Sequence, residues 1–229
     1  MEKRKGQVRP RFFIYITGLL VMSLGIVLLI KSDLGATPWD VLHIGLYHQL
    51  GLTIGSWSVL AGLFILTVAA ILAKEIPQIG AFLNMILVGA FIDMYLWMSF
   101  LDTPSSTAGK TAMFAIGILL QGYGMGLYIS AQFGAGPRDS LMIAISSRTG
   151  WQIRNVRALI EVIVLLAGWR LGGPVFWGTI FFSIFIGPIA GKALPQCQSI
   201  TDKFLKAINR KRGIELGNSG EEKNRGALL

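Results

Sequence analysis

The chain has 229 residues, of which 53% are hydrophobic and only 14% charged, and it carries a formal net charge of +9. Soluble domains have about 25% charged residues, so this composition excludes an ordinary soluble globular protein. The single cysteine excludes an internal disulfide.

Six apolar stretches follow one another along the chain, each close to the ~20 residues that cross ~30 Å of hydrocarbon as a helix. They cover residues 12–30, 54–73, 79–100, 112–130, 156–171 and 175–193. Their apolar residues are continuous and do not alternate, which disfavours strands. We therefore predict an all-α membrane protein with about six transmembrane helices. Lys31-Ser32-Asp33 follows the first stretch where a signal peptide would show a cleavage site, so we expect that helix to be retained.

Composition divides the chain into five segments. They are a basic N-terminus (1–11), a first membrane repeat (12–100), a loop (101–110), a second membrane repeat (111–194) and a polar, basic tail (195–229). With six spans, the segments on the side of the N-terminus hold 18 Lys and Arg residues and the opposite segments hold 3. The positive-inside rule therefore predicts that both termini are cytoplasmic. The tail is expected to be disordered. The net charge is explained by topology, and we expect no nucleic-acid partner.

The two membrane repeats resemble each other in sequence. Residues 18–69 align with 117–168 without a gap at a constant offset of 99, and 15 of these 52 pairs are identical. After a one-residue shift the match resumes, so that Gly80 pairs with Gly178 and Gly89 with Gly187. Such a duplication predicts two similar halves with any ligand site between them.

Three spans in each half would place the halves in opposite orientations across the membrane. The charges of equivalent loops agree with this expectation, because residues 31–57 carry only Lys31 whereas residues 130–156 carry Arg138, Arg148 and Arg154. An alternative counts the apolar segments 38–50 and 137–149 as spans, which gives eight helices in two parallel repeats. Thirteen helical residues reach only ~20 Å, too short for the bilayer core. Six spans with two short helices, broken or at the interface, are the favoured topology.

The most specific local pattern is a duplicated Gly-Ala-x-Pro-x-Asp. It gives Gly35, Pro38 and Asp40 in the first half and Gly134, Pro137 and Asp139 in the second. The spacing is typical of a helix start, with the N-cap at Thr37 or Gly136, Pro at N1 and Asp at N3. The two glycines are expected to end the preceding helices in left-handed turns. The carboxylates either only cap the short helices or also line a site where broken helices converge near the midplane.

Other polar residues lie within the apolar stretches. Glu161 is four residues after Arg157, so the two side chains share a helix face, and Glu161 belongs either to a structural ion pair or to a solute site. Asp93 is a candidate for the same site, as are Trp39 and Arg138 beside the duplicated prolines. Asn84 and Gln121 are expected to bond neighbouring helices.

No catalytic or metal-binding pattern was found in the sequence. His43 and His48 are five residues apart and lie on different faces of a helix, and no His, Cys and carboxylate cluster has metal spacing. The sequence also contains no glycine-rich phosphate loop and no nucleophile elbow. We expect neither enzymatic activity nor a cofactor.

The segment from Ile30 to Leu42, the stretch Gly51–Gly55 and the residues from Gly178 to Pro188 resemble bacterial membrane proteins of the YitT/YczE family, and the YczE branch most. The resemblance covers about residues 12–194. It implies a multi-pass protein of the bacterial plasma membrane and brings no catalytic residues with it. Its glycine-proline-aspartate turn falls on the six residues of the duplicated pattern.

Two functions fit these features. The first is a transporter or permease for a small polar solute, bound between inverted halves by Asp40, Asp139, Trp39, Arg138, Asp93 and Glu161. The second is a non-transporting scaffold or accessory protein that acts through its cytoplasmic loop and tail. The lipid bilayer and a small solute are the expected partners, and the sequence is compatible with a homo-oligomer.

Overall fold

The structure, a computed structural model, describes residues 8–134 and 136–226, with side chains up to residue 208. Part of the predicted N-terminal segment, residues 1–7, and Ala135 of the duplicated pattern lie outside the described residues, as do residues 227–229. The described chain forms eight helices. They are α1 (Val8–Lys31), α2 (Pro38–Leu50), α3 (Ile54–Ala73), α4 (Ile79–Trp97), α5 (Thr107–Ser130), α6 (Pro137–Thr149), α7 (Ile153–Arg170) and α8 (Trp177–Gly226).

Five of these helices, α1, α3, α4, α5 and α8, are long and apolar enough to cross a membrane. The sixth predicted span is also a helix, α7, but Arg154, Arg157, Glu161 and Arg170 set its composition apart from the other five. Helices α2 and α6 have 13 residues each. The all-helical architecture of the prediction is thus confirmed, while the count of six spans depends on how α7 is assigned.

Helices α1 and α5, which are equivalent in the repeat, pack against each other in antiparallel orientation and form the most extensive helix contact of the described residues. Their contact is reciprocal. A Cβ added to Gly25 would lie 2.8 Å from the carbonyl oxygen of Gly117, and a Cβ added to Gly117 would lie 3.1 Å from that of Gly25. At the other end of the crossing, a Cβ on Gly18 would lie 3.0 Å from the carbonyl oxygen of Gly124. Glycine at these positions therefore allows the two backbones to approach closely.

Each short helix packs against a long helix of the other half. Helix α2 packs against α7, and its repeat equivalent α6 packs against α3. In the first of these contacts the Gln49 side-chain amide donates to the carbonyl oxygen of Leu171 at 3.1 Å, so the C-terminal ends of α2 and α7 lie together. Trp39, at the start of α2, packs instead on Ile65 and Val164 in the middle of α3 and α7. Each short helix therefore begins deep in the bundle and ends near its surface.

The final helix continues past its apolar part. Thr201 and Ser130 share a hydrogen bond of 2.7 Å between their hydroxyl groups, and Leu205 is buried at 3% exposure. Residues 201–205 therefore belong to the packed body, although the sequence places them in a disordered tail. The backbone stays helical to Gly226, which also differs from that expectation. Low hydrophobicity argues against burial of the tail but does not prevent a helix from extending out of a packed one.

Candidate functional site

A cavity of about 120 Å³ lies where the N-terminal ends of α2 and α6 meet. Both halves line it at equivalent positions of the repeat. Eight such pairs share the offset of 99, and they are Met22 and Gln121, Ile26 and Met125, Thr37 and Gly136, Pro38 and Pro137, Trp39 and Arg138, His43 and Met142, Ser58 and Arg157, and Gly62 and Glu161. Apart from the two prolines and the apolar pair of Ile26 and Met125, the members of each pair differ in chemistry. The cavity is therefore symmetric in position and asymmetric in charge.

Both helix starts have the geometry that the sequence predicts. Thr37 is the N-cap of α2 and Gly136 that of α6, and a proline follows each at N1. Gly35 and Gly134 do not end the preceding helices, so that part of the prediction is wrong. Asp33 and Gln132, with φ of 56° and 57°, take the left-handed conformation just after those helices.

The two glycines lie in the loops that connect α1 to α2 and α5 to α6. Gly35 and Gly134 have φ of +114° and +139°, values that side chains rarely tolerate. A Cβ on Gly35 would also lie 2.7 Å from the Thr179 hydroxyl oxygen. The loops can therefore pass close to the neighbouring helix starts on their way to the cavity.

Asp40 lies beside the cavity but does not line it. The Thr37 hydroxyl donates to Asp40 Oδ2 at 2.6 Å, and the Asp40 amide donates to Thr37 Oγ1 at 3.2 Å. Its other carboxylate oxygen faces His43 Nδ1 at 3.6 Å, and both side chains are 1% exposed. Asp40 and Thr37 thus cap the start of α2 reciprocally. The imidazole of His43, which lies next to Asp40, lines the cavity.

Asp139, the repeat equivalent of Asp40, does line the cavity. Its Oδ2 accepts a hydrogen bond from the Tyr128 hydroxyl at 3.1 Å. Glycine at the N-cap of α6 provides no side-chain oxygen, so the carboxylate has no cap partner like that of Asp40. The equivalent aspartates therefore differ in environment, and only Asp139 reaches the shared space.

Arg138 and Trp39 form the most direct contact between the halves at this site. The guanidinium carbon of Arg138 lies 4.6 Å from the centroid of the Trp39 ring. Trp39 is 6% exposed, and Arg138 is half-buried. Within residues 8–134 and 136–208, Arg138 makes no hydrogen bond and no ion pair shorter than 4 Å. Such a cation–π contact suits a desolvated cation but supplies no countercharge.

Glu161 and Arg157 also line the cavity, and they are paired. Arg157 Nε donates to Glu161 Oε1 at 2.8 Å, across one turn of α7. Asp93, by contrast, lies away from the cavity. Its carboxylate accepts from the Thr53 hydroxyl at 2.6 Å and from the Gly55 amide at 2.8 Å, at the start of α3. The structure thus brings four of the six candidate residues, Trp39, Arg138, Asp139 and Glu161, into one cavity.

Sequence reasoning assigned Asn84 and Gln121 to helix packing, yet both line the cavity. They are 7% and 8% exposed, and Asn84 Nδ2 and Gln121 Oε1 have no hydrogen-bond partner in the described part of the chain. Tyr128 and His43 were not singled out as site residues either. The repeat contained one usable signal, since Gln121 stands where the other half has Met22. Within the described residues, no group of three His, Cys, Asp or Glu side chains is arranged to hold a metal ion.

Comparison with known proteins gives a consistent family. The model for a family of unknown function (DUF6198) matches residues 9–194. The chain is 42% identical to the uncharacterized membrane protein YczE of Bacillus subtilis over 193 residues, which are 84% of this chain and 89% of that protein. It is also 35% identical to an uncharacterized protein of Haemophilus influenzae over 176 residues, which are 77% of this chain and 79% of the relative.

A second Bacillus subtilis relative, the uncharacterized protein YyaS, is 31% identical over 205 residues, with 88% of this chain and 98% of the relative covered. No solved structure matches the chain. The resemblance to YczE-like proteins that the sequence indicates is thereby confirmed.

Proposed function

The chain is a member of the DUF6198 family, is integral to the membrane, and has YczE among its relatives; we propose that it is a transporter for a small polar solute. The solute occupies the cavity between two inverted halves. The proposal is supported by the cavity itself, in which the starts of two broken helices, one from each half, supply the lining. Broken helices that meet at the midplane build solute sites in many secondary transporters.

The inverted arrangement is supported by the crossing of α1 and α5. These helices are equivalent in the repeat and pack antiparallel through reciprocal glycine contacts. A twofold axis that relates two antiparallel helices is perpendicular to both. For helices that cross the membrane, such an axis lies in the membrane plane, which is the symmetry of inverted repeats. Parallel repeats would require α1 and α5 to run in the same direction.

The proposed topology has six spans and both termini in the cytoplasm. Helices α1, α3, α4, α5, α7 and α8 cross the membrane. Of the charged residues of α7, Arg157 and Glu161 line the cavity, and Arg154 and Arg170 are exposed near its two ends. Helix α2 then enters from the outer face and α6 from the cytoplasmic face. The distribution of 18 Lys and Arg residues on one side against 3 on the other supports this orientation.

The observation that supports transport is a difference in helix packing between the two halves. Helices α3 and α4 pack closely, and a Cβ on Gly89 would lie 2.6 Å from the carbonyl oxygen of Gly55. The equivalent helices α7 and α8 do not pack in this way, and Gly187, the equivalent of Gly89, has no atom within 4 Å of its Cβ position. Arg154 stands where α3 has Gly55, so α7 and α8 cannot reproduce the α3–α4 contact atom for atom. If α8 nevertheless approaches α7 around Gly187 while α3 and α4 separate, the bundle closes on the cytoplasmic side and opens on the outer side. Such an exchange provides alternating access to one site.

Two-sided labelling of the cavity tests this proposal without knowledge of the solute. In a Cys197→Ala background, Ser58→Cys places a thiol in the cavity wall. A membrane-impermeant maleimide is applied separately to right-side-out and inside-out vesicles. We expect labelling from both faces. Ile116→Cys, on a 51% exposed lipid-facing position, should stay unlabelled from either face. Reaction of Ser58→Cys from one face only, at every time point, would contradict alternating access.

A further inference from the structure

Two charged residues that line the cavity, Arg138 and Asp139, make no ion pair within 4 Å in the described part of the chain, although the carboxylates of Asp40, Asp139 and Glu161 lie near the guanidinium. Arg138 stacks on Trp39 and has no ion pair among residues 8–134 and 136–208. Asp139 accepts one hydrogen bond, from the neutral Tyr128 hydroxyl. The other two charged lining residues, Arg157 and Glu161, pair with each other. The charges that remain available to a solute are therefore one cation and one anion.

These two charges face different walls of the cavity. They are consecutive residues in the first turn of α6, at N2 and N3. The guanidinium reaches across to Trp39 of the first half, whereas the carboxylate turns to Tyr128 on α5. Each charge inside the membrane is costly unless a partner neutralises it. Because the two side chains do not pair with each other, a solute that carries both signs can supply both partners.

The uncharged lining groups likewise include both a hydrogen-bond donor and a hydrogen-bond acceptor. Among the described residues, Asn84 Nδ2, which faces the Tyr15 hydroxyl, has no hydrogen-bond acceptor within 3.5 Å, and Gln121 Oε1 has no hydrogen-bond donor within that distance. Both side chains are more than nine-tenths buried. Buried polar atoms of this kind are normally hydrogen-bonded, and an unpaired one calls for an explanation. Both residues line the cavity. The two ring nitrogens of His43, which also lines the cavity, have no hydrogen-bond partner in that part of the chain either. The site therefore offers uncharged donors and acceptors in addition to its charged groups.

On the basis of the proposed transport function, we infer that the solute is a small zwitterion of the α-amino-acid type. Its carboxylate binds Arg138, its ammonium group binds Asp139, and Asn84 and Gln121 supply further hydrogen bonds. The cavity of about 120 Å³ is somewhat smaller than the ~150 Å³ cavity that accepts benzene, so a solute of about six heavy atoms fits. A solute without net charge also leaves the cavity neutral when it binds.

Three probes with one carbon skeleton test this class. L-alanine carries both charged groups, propionate lacks the ammonium group, and ethylamine lacks the carboxylate. Binding to the purified full-length protein is measured by titration calorimetry and by thermal shift. We expect L-alanine to bind at least tenfold more tightly than either of the others, since each single-charge probe leaves one buried charge unpaired. Equal affinity for L-alanine and propionate, equal affinity for L-alanine and ethylamine, or no binding of L-alanine would each overturn the inference.

Two substitutions should change the preference in opposite directions. Arg138→Gln removes the carboxylate partner, so ethylamine should then bind at least as tightly as L-alanine. Asp139→Asn removes the ammonium partner, so propionate should match L-alanine. Arg170→Gln and Asp102→Asn change exposed charges of the same types outside the cavity, and they should keep the wild-type order. An identical loss of all three probes in both cavity variants would contradict the assigned pairing.

The outcomes separate this inference from the transport proposal. Selective binding of L-alanine together with one-sided labelling of Ser58→Cys would keep the zwitterion site and refute transport. Two-sided labelling without selective binding would keep alternating access and refute the zwitterion.

Discussion

Arg138 and Trp39, which contact each other at 4.6 Å between the guanidinium carbon and the ring centroid, are equivalent positions of the two halves. Two residues related by a twofold axis can touch only where the axis passes between them. Under the proposed inverted topology, the axis that relates the halves therefore passes through this contact. It also joins a cation to an aromatic ring at a place where a strictly symmetric protein would hold two identical side chains.

Opposite insertion of the halves predicts opposite labelling of equivalent positions. Leu50 and Thr149 end α2 and α6, are equivalent in the repeat, and are both exposed. In the Cys197→Ala background, we expect Leu50→Cys to react with an impermeant maleimide from outside and Thr149→Cys from the cytoplasm. Parallel repeats predict that both react from the same face, so that result would refute the inverted topology.

Removal of the unpaired cation should make the protein more stable and less able to bind its solute. An arginine near the bilayer centre costs roughly 2.5–3.5 kcal/mol, and its cation–π contact returns about 0.5–2 kcal/mol. We expect Arg138→Met to raise the free energy of unfolding by on the order of 1 kcal/mol, as the difference of these terms. Thermal unfolding in detergent measures the change.

Arg157→Met is the matched comparison, because Arg157 pairs with Glu161. This substitution leaves the carboxylate without its partner, so it should lower the unfolding temperature. If Arg138→Met destabilises the protein as strongly as Arg157→Met does, nearby carboxylates stabilise the guanidinium without an ion pair, and the prediction is wrong. Those carboxylates belong to Asp40, Asp139 and Glu161.

Two glycines of the repeat should respond differently to a larger side chain. At Gly25, a Cβ would lie 2.5 Å from the Gln121 backbone nitrogen, so Gly25→Leu should separate α1 from α5 and prevent stable folding. Gly187 has free space around it, so Gly187→Leu should fold normally. Under alternating access, however, its side chain blocks the packing of α8 on α7. Labelling of Ser58→Cys in the Gly187→Leu protein should then persist from the cytoplasm and be lost from outside. Unchanged two-sided labelling would show that α7 and α8 do not close.

Truncation separates the transporter from the tail-dependent scaffold. Deletion of residues 209–229 leaves the hydrogen bond of Thr201 and the buried Leu205 intact. We expect this protein to keep its unfolding temperature and two-sided labelling. Deletion from residue 200 removes both contacts and should destabilise the fold. If cells with the shorter deletion behave like cells that lack the protein while two-sided labelling continues, the tail has a function of its own.

The sequence contains enough information for the elements that depend on local chemistry. The apolar runs predict the long helices, and the Gly-Ala-x-Pro-x-Asp pattern predicts the starts of α2 and α6 at Pro38 and Pro137. The spacing of four residues predicts the pair of Arg157 and Glu161. Each of these features depends on interactions within one or two helical turns.

Features that depend on contacts between distant segments were not predictable from the sequence. Asp93 was a candidate for the solute site because it is an acid in an apolar helix, but its partners are Thr53 and Gly55 of another helix. Asn84 and Gln121 were assigned to packing for the converse reason, and they face the cavity. Which polar residue faces a partner and which faces a space is determined by helix crossing, and one sequence alone does not specify that crossing.

The contact of Gly25 with Gly117 and the contact of Gly18 with Gly124 involve two pairs of glycines that are equivalent in the repeat. Under the proposed inverted topology, they are consistent with an ancestral half that dimerised with an oppositely inserted copy of itself. Fusion of two such copies would fix one orientation for each. Once they were fixed, mutation could place a tryptophan in one copy and an arginine in the other, a division of labour that a dimer of identical chains could not evolve.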